Sequence, residues 1–275
     1  MKRVHFGIFF ALVIMMGMFN FAYTSICTSS ASMYSSVVCS VSNETNTPNK
    51  VINWGLTHRG NNSTPDIPSG AGELLNQTNG IYLGDTSEKK IYLTFDLGYE
   101  AGYTNDVLDE LAKHSIKAIF FVCGNYIKET PIVSRILNEG HTIGNHTDKH
   151  LDLSKKDEQT IKKDISDFDT KFSEAYPSYN FKSKYFRPPF GRISTTSMKV
   201  SGEYGLKTVL WSNAIADWDK KPIDPIKCSD KLTQRLHNGS IILLHITNSG
   251  TPKMLSQFIP KAIEAGYEFG DATQL

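Results

Sequence analysis

Asp96, His146, Arg187, Asp217 and His245 are polar residues at or just beyond the ends of apolar runs, an odd place for core side chains and a natural one for chemistry. Asp96 ends IYLTFD (91–96) and is followed two residues on by Gly98, so its carboxylate should sit where a buried strand gives way to a loop. His146 ends TIGNH (142–146), and with His150 it forms an H-x-x-x-H pair. Four residues is one helical turn, so the spacing predicts two imidazoles pointing the same way and gripping one metal ion. His245 ends SIILLH (240–245) and can donate a proton if a carboxylate holds its other ring nitrogen. Asp217, beside Trp218, is the candidate orienter. In FRPPFG (186–191) two prolines fix the backbone and offer no N–H, so the first free donor after them is Phe190, suited to a developing oxyanion. Arg187 can keep a carboxylate ionised and oriented through two parallel hydrogen bonds. Each feature has a plainer reading beside it: Asp96 a turn residue, Arg187 a surface charge at a structural turn, His245 a satisfied core histidine. Their repeated placement at strand ends favours a shared site.

The elements that must carry these residues alternate regularly. Further strand-like runs are AIFFVCG (118–124), YFRPPF (185–190) and TVLWSN (208–213). Between the runs lie amphipathic helical stretches at 103–114, 131–139, 154–175, 194–204, 229–237 and 252–265, and Gly140, Gly205, Gly239 and Gly266 are the expected left-handed stops. Such alternation implies parallel strands, hence a (β/α) barrel or an open doubly wound sheet. Only a barrel, complete or irregular, brings all the strand ends round one mouth. Near that mouth Tyr99, Trp211 and Trp218 offer flat faces for a sugar ring, and Glu100 beside Tyr99 joins them as a substrate-binding candidate.

The bulk composition is ordinary for a globular chain. The 275 residues carry a formal charge of +1, which gives no basic excess and speaks against a nucleic-acid partner. Lys2 and Arg3 precede an apolar run from Val4 to about Tyr23, an export signal or a signal anchor. Ser29 and Ala31 suit a cleavage site, while ~20 apolar residues also suffice to span a bilayer. Either way the working part is expected outside the cytoplasmic membrane, exported to the cell wall or held at the membrane's outer face. The expected organisation is leader 1–31, Ser/Thr/Asn-rich tether 32–49, wrapping segment 50–89 and catalytic domain 90–275. Cys27, Cys39, Cys123 and Cys228 show no C-x-x-C spacing, which argues against a cysteine zinc site and a disulfide scaffold. Cys27 follows Ile26 rather than a small residue, unlike a lipoprotein cysteine. Cys123 reads as a small buried side chain, and a Cys39–Cys228 bridge stays open.

Over about 90–275 the chain resembles the polysaccharide deacetylases, the NodB-homology group called carbohydrate esterase family 4. Five motifs occur in family order: TFDLGYE, HTDKH, RPPFG, ADW and LLH. The resemblance implies an irregular (β/α) barrel of the polysaccharide deacetylase type and metal-assisted hydrolysis of an N-acetyl group on a glycan. It implies Asp96 as general base and His146 and His150 as ligands of a divalent ion, zinc first among candidates. Arg187 would orient Asp96, Phe190 N–H would meet the oxyanion, and His245 would be the general acid tuned by Asp217. One departure stands out: the family's third metal ligand is an aspartate directly after the base, and here that position is Leu97. The ion would then rest on two histidines and water, with help from Asp96 or Asp148, or bind weakly.

GYEAGYT, WGL at Trp54 and YLGDT resemble more closely the muramic acid deacetylases of spore-forming bacteria, which also commonly lack that aspartate. That likeness implies a peptidoglycan substrate, N-acetylmuramic acid already stripped of its peptide by an amidase, and a place in making the muramic δ-lactam of spore cortex. Competing expectations are a general N-acetylglucosamine deacetylase of peptidoglycan or chitooligosaccharides, a catalytically silent glycan binder, and an exported zinc amidase. The last lacks a third histidine or glutamate at metalloprotease spacing.

Overall fold

The computed structural model describes residues 49–275 apart from Asn61 and Lys220; the segments expected to be leader and tether, residue 49 excepted, lie outside the described residues, as does Cys39. In chain order the strands are β1 (Val51–Asn53), β2 (Gly80–Ile81), β3 (Lys90–Leu97), β4 (Ile119–Val122), β5 (Thr142–Asn145), β6 (Tyr185–Phe186), β7 (Arg192–Ser194), β8 (Lys207–Val209), β9 (Asn213–Ala214), β10 (Ser240–His245) and β11 (Glu268–Phe269). The helices are α1 (Ala71–Gln77), α2 (Thr104–Lys113), α3 (Thr130–Asn138), α4 (Glu158–Ala175), α5 (Thr195–Glu203), α6 (Pro225–Gln234) and α7 (Gly250–Glu264).

Nine strands form one parallel sheet in the order β2-β8-β6-β5-β4-β3-β10-β9, with β11 also on β3. Its closure follows from one short piece of chain. β8 lies near one end of the order and β9 at the other, yet Val209 and Asn213 are joined by only three residues. Four extended steps reach roughly 14 Å, so the two ends of the sheet must curl together. Leu210 N–H donates to Ile81 on one side and Ser212 N–H to Ile241 on the other. The result is the irregular α/β barrel expected from the alternating pattern.

Both faces of the central strands are apolar, as a parallel sheet under helices requires. On the outer face Ile91, Leu93, Phe95 and Leu97 of β3 pack with Val107, Leu108 and Leu111 of α2 and with Phe258, Ile259 and Ala262 of α7. Tyr92, Ile119, Phe121, Val209 and Ile241 fill the inner face. At roughly 1.5–3 kcal/mol per fully buried large apolar side chain, these two layers supply the stability that holds the strand ends in place. The segment before β3 packs Ile52, Trp54, Leu74 and Leu75 against Ile193, Met198 and Leu210, and β1 pairs antiparallel with β7.

Element ends differ from the sequence pattern where local chemistry intervenes. The run 185–190 is a strand only over β6, because Pro188 and Pro189 have no N–H to pair. The helix expected from 229 starts at Pro225, where the Asp224 side chain accepts the N–H groups of Ile226 and Lys227. The helix expected from 154 starts at Glu158, capped by Asp157 accepting from Thr160 N–H at 2.7 Å. All four expected left-handed glycines have positive φ, though Gly239 lies in the turn before β10 rather than at the end of α6.

Candidate active site

The register of the sheet sets the site. Across β3, β4, β5 and β6, Leu97, Val122, Asn145 and Phe186 lie side by side. The next step of the ladder continues past the strand ends: Cys123 N–H donates to Leu97, His146 N–H to Val122 and Arg187 N–H to Asn145. Side chains alternate between faces, and Leu97, Val122, Ile143 and Phe186 are outward. Cys123, His146 and Arg187 therefore point inward at one level. One level below, Asp96 on β3 is directly opposite His245 on β10, both inward. Groups up to 149 residues apart thus meet in one place because of strand parity.

Arg187 is fully buried with its guanidinium 4.1 Å from the Phe121 ring centre. Its Nη1 donates to Asp96 Oδ1 at 2.9 Å and to Thr94 Oγ1 at 2.8 Å, and its Nε to the Val209 carbonyl at 2.8 Å. The contact with Asp96 is a single bond rather than the two parallel bonds expected, because the rest of the guanidinium is spent on backbone carbonyls and Thr94. Burial pushes the Asp96 carboxyl up, but the charge of Arg187, with that of His245, outweighs it and holds Asp96 below the usual carboxylate range. Gly144 makes room for this stack: a Cβ there would lie 2.5 Å from the Phe121 ring.

Asp217, wholly buried, accepts twice from His245: from Nδ1 at 2.9 Å and from the backbone N–H at 2.8 Å. Burial works against the imidazolium, yet the bond to Asp217 and its charge prevail and raise the His245 pKa above 6.5. Nδ1 being engaged, Nε2 is the atom left to face the cleft.

His146 Nδ1 is bonded to the Arg187 carbonyl at 2.8 Å, and Nε2 lies 3.5 Å from Asp96 Oδ2. His150 meets His146 ring to ring at 5.0 Å, but no helical turn joins them. Thr147 and His150 have φ of 69° and 53°, so the pair converges through a left-handed loop, braced by Thr147 Oγ1 accepting from His150 N–H. Burial lowers both imidazole pKa values, that of His150 to about 4, which keeps them neutral and able to ligate. One donor atom each from Cys123, His146 and His150 lies within 4.8 Å of the others, so the donor set suits a borderline-soft divalent ion. Burial pushes the Cys123 thiol up, and it donates to the His146 carbonyl.

A cleft of about 1060 Å³ opens above these groups, lined by Asp96, Tyr99, Cys123, His146, His150, Phe190, Trp211, Trp218 and His245 among others. Tyr99, Phe190 and Trp218 are half exposed or more. Phe190, at φ 61°, packs edge-on against His150 with ring centres 4.6 Å apart.

The polysaccharide deacetylase family model matches residues 83–209. The peptidoglycan-N-acetylmuramic acid deacetylase PdaA of Bacillus subtilis is 37% identical over 225 residues, 81% of this chain and 84% of that protein. The chain belongs to the polysaccharide deacetylase family. The solved structure of PdaA, a family 4 carbohydrate esterase, superposes with a TM-score of 0.76 at 35% identity, covering 82% of this chain and 97% of that one. A peptidoglycan-N-acetylglucosamine deacetylase of Bacillus cereus is 34% identical over 195 residues, 69% of this chain and 89% of that protein.

Two sequence expectations look different in this deacetylase. Glu100 is not among the residues lining the cleft. Its carboxylate instead accepts from Gly102 N–H at 2.6 Å, from Thr104 Oγ1 at 2.5 Å and from the Tyr126 hydroxyl, bracing the loop that carries Tyr99. Asp148, offered as a helper for the ion, has both oxygens held by Lys171 at 2.6 and 2.7 Å. Among the cleft residues that sequence reasoning missed, three bear on the site: Trp54, Cys123 and Lys149. Trp54 comes from the segment before the barrel and is fixed by its indole N–H on the Trp211 carbonyl. Cys123 carried the same signal as Asp96 and His146, a functional atom just past an apolar strand, and was set aside as core.

Proposed function

We propose that this deacetylase removes the acetyl group from N-acetylmuramic acid of peptidoglycan, acting on glycan whose peptide an amidase has already removed, on the way to the muramic δ-lactam of spore cortex. The observation carrying the chemistry is the facing pair in the cleft: Asp96 kept ionised by Arg187, and His245, whose hold on its proton Asp217 strengthens. His146 and His150 would hold a divalent ion, zinc by choice of donors, which when bound polarises the water and the acetyl carbonyl. Asp96 takes the proton of the attacking water. Phe190 offers its backbone N–H to the oxygen that gains charge. His245 delivers its Nε2 proton to the departing nitrogen as the C–N bond breaks, so that water and the amide become acetate and a free amine.

Support for the muramic substrate comes from the likeness to PdaA over most of both chains. A second support is Lys149, exposed on the cleft lining beside His150, a cation for the free lactyl carboxylate that peptide removal leaves. Tyr99, Trp211 and Trp218 supply the faces on which sugar rings lie. The basic, apolar leader carries the domain across the cytoplasmic membrane, to remain at its outer face or enter the wall.

Mass spectrometry of muropeptides, with and without amidase pretreatment, tests this reading on the purified protein. Loss of one acetyl group from muramic acid, only after peptide removal, is the expected result. Loss from glucosamine instead, the reaction named for the B. cereus relative, would overturn the substrate, and no acetate from any glycan would leave a silent binder.

A further inference from the structure

Leu97 raises a question the family pattern does not answer: what replaces the missing carboxylate in the metal shell? Leu97 itself has no donor atom, and its side chain packs at 2% exposure among Ile91, Leu93 and Phe95. Asp148 is committed to Lys171 through both oxygens. Asp96 has Oδ1 on Arg187 and is the proposed base.

Cys123 is placed differently. It is the residue directly beyond β4, and its N–H is bonded to the carbonyl of Leu97, so it stands beside the position the aspartate would have held. Ile119 and Phe121 of the same strand are inward, and two further steps carry the inward face to Cys123. Its backbone is locked from both sides, since Gly124 N–H donates to the Thr147 carbonyl and a Cβ at Gly124 would collide with Asp148 at 2.0 Å. That close approach ties the end of β4 to the loop bearing His146 and His150. The thiol is 1% exposed yet belongs to the cleft lining. Among the described residues, Cys123, His146 and His150 form the one cluster of three or more potential ligand side chains with donor atoms mutually within 4.8 Å. His146 Nδ1 is engaged by the Arg187 carbonyl, which leaves Nε2 for an ion.

We propose that Cys123 is the third protein ligand, so that this deacetylase holds its ion by one sulfur and two imidazole nitrogens. On binding, the thiol proton is released and the sulfur–metal bond forms; nothing is oxidised or reduced. Sulfur in the shell selects zinc or cobalt(II) over manganese, magnesium and calcium. The proposal deepens the reading of the site as a metal-assisted deacetylase and is separable from it.

X-ray absorption at the zinc edge of the wild-type, zinc-loaded protein is the primary test. It should show one sulfur at about 2.3 Å and nitrogen or oxygen neighbours near about 2.0–2.1 Å. A shell of nitrogen and oxygen alone overturns the proposal even if acetate is released. A sulfur in the shell with no acetate released sustains it while the deacetylase reading fails. Cobalt(II) loading gives a second readout: wild type should show a near-ultraviolet sulfur-to-cobalt charge-transfer band that Cys123→Ser lacks. Removing a direct ligand should weaken zinc binding by more than the roughly 10–100-fold that loss of an outer partner costs. Cys123→Asp should bind manganese better than wild type does. If Cys123→Ser binds zinc as tightly as wild type, the sulfur is not a ligand.

Discussion

Replacing Asp217 with asparagine tests how the proposed acid, His245, is tuned, because it keeps the shape of the partner and removes its charge. Asp217 accepts both the Nδ1–H and the backbone N–H of His245. An asparagine has one oxygen to offer and turns its NH₂ toward the other donor. A hydrogen bond to a charged partner contributes about 1.5–3 kcal/mol against about 1 for a neutral one. The difference, about 0.5 to 2 kcal/mol, centres on roughly one pKa unit at about 1.36 kcal/mol each. With burial no longer opposed, His245 falls from above 6.5 toward or below it. The acid must carry its proton, so activity persists below the His245 pKa and is lost as pH rises through it. In Asp217→Asn the alkaline limb of kcat/KM for acetate release should therefore move down by about one unit, with about tenfold less activity above the limb. The acidic limb should stay in place, since Asp96 and His150 titrate at low pH. A rate lowered uniformly at every pH, with the alkaline limb unmoved, would refute the pairing as the source of tuning.

Other perturbations reach the remaining parts of the site. Arg187→Met leaves the Asp96 carboxylate buried without its partner, and urea unfolding should show a loss of about 3–5 kcal/mol. Gly144→Ala forces a methyl group against the buried Phe121 ring, and should cost about 1–3 kcal/mol in the same assay while lowering kcat through the displaced Arg187. Trp218→Ala removes an exposed face from the cleft; KM should rise roughly 2–10-fold with kcat held, in steady-state kinetics on peptide-free glycan strands.

Much of the site was legible because strand parity is written directly in the residue pattern. Phe95 then Asp96, Asn145 then His146 and Leu244 then His245 each alternate an outward residue with an inward polar one. The five family motifs sampled those same strand ends. What the pattern hid was geometry that depends on neighbours. H-x-x-x-H looked like a helical turn, but Thr147 and His150 adopt left-handed backbone, which no spacing rule announces. Arg187 looked free to grip a carboxylate with both nitrogens, and only the packed structure shows the Val209 and Leu210 carbonyls competing for it. Glu100 sat next to an exposed tyrosine in sequence, and the turn through Gly102 swings it toward Tyr126 instead. Cys123 was hidden by its own polarity: a buried thiol and a core alkyl group look alike until the facing imidazoles are seen. The early start of α6 was readable in principle, from Asp224 followed by Pro225.

The central claim is that Asp96 and His245 act as base and acid on a single acetamide held between them. Acetate release from peptide-free glycan by Asp96→Asn and His245→Ala, each checked for bound zinc and for a wild-type melting profile, tests it most directly. The account predicts a fall of about 10²–10⁴-fold in kcat for each variant with metal content unchanged. Either folded, zinc-loaded variant releasing acetate at the wild-type rate would contradict it.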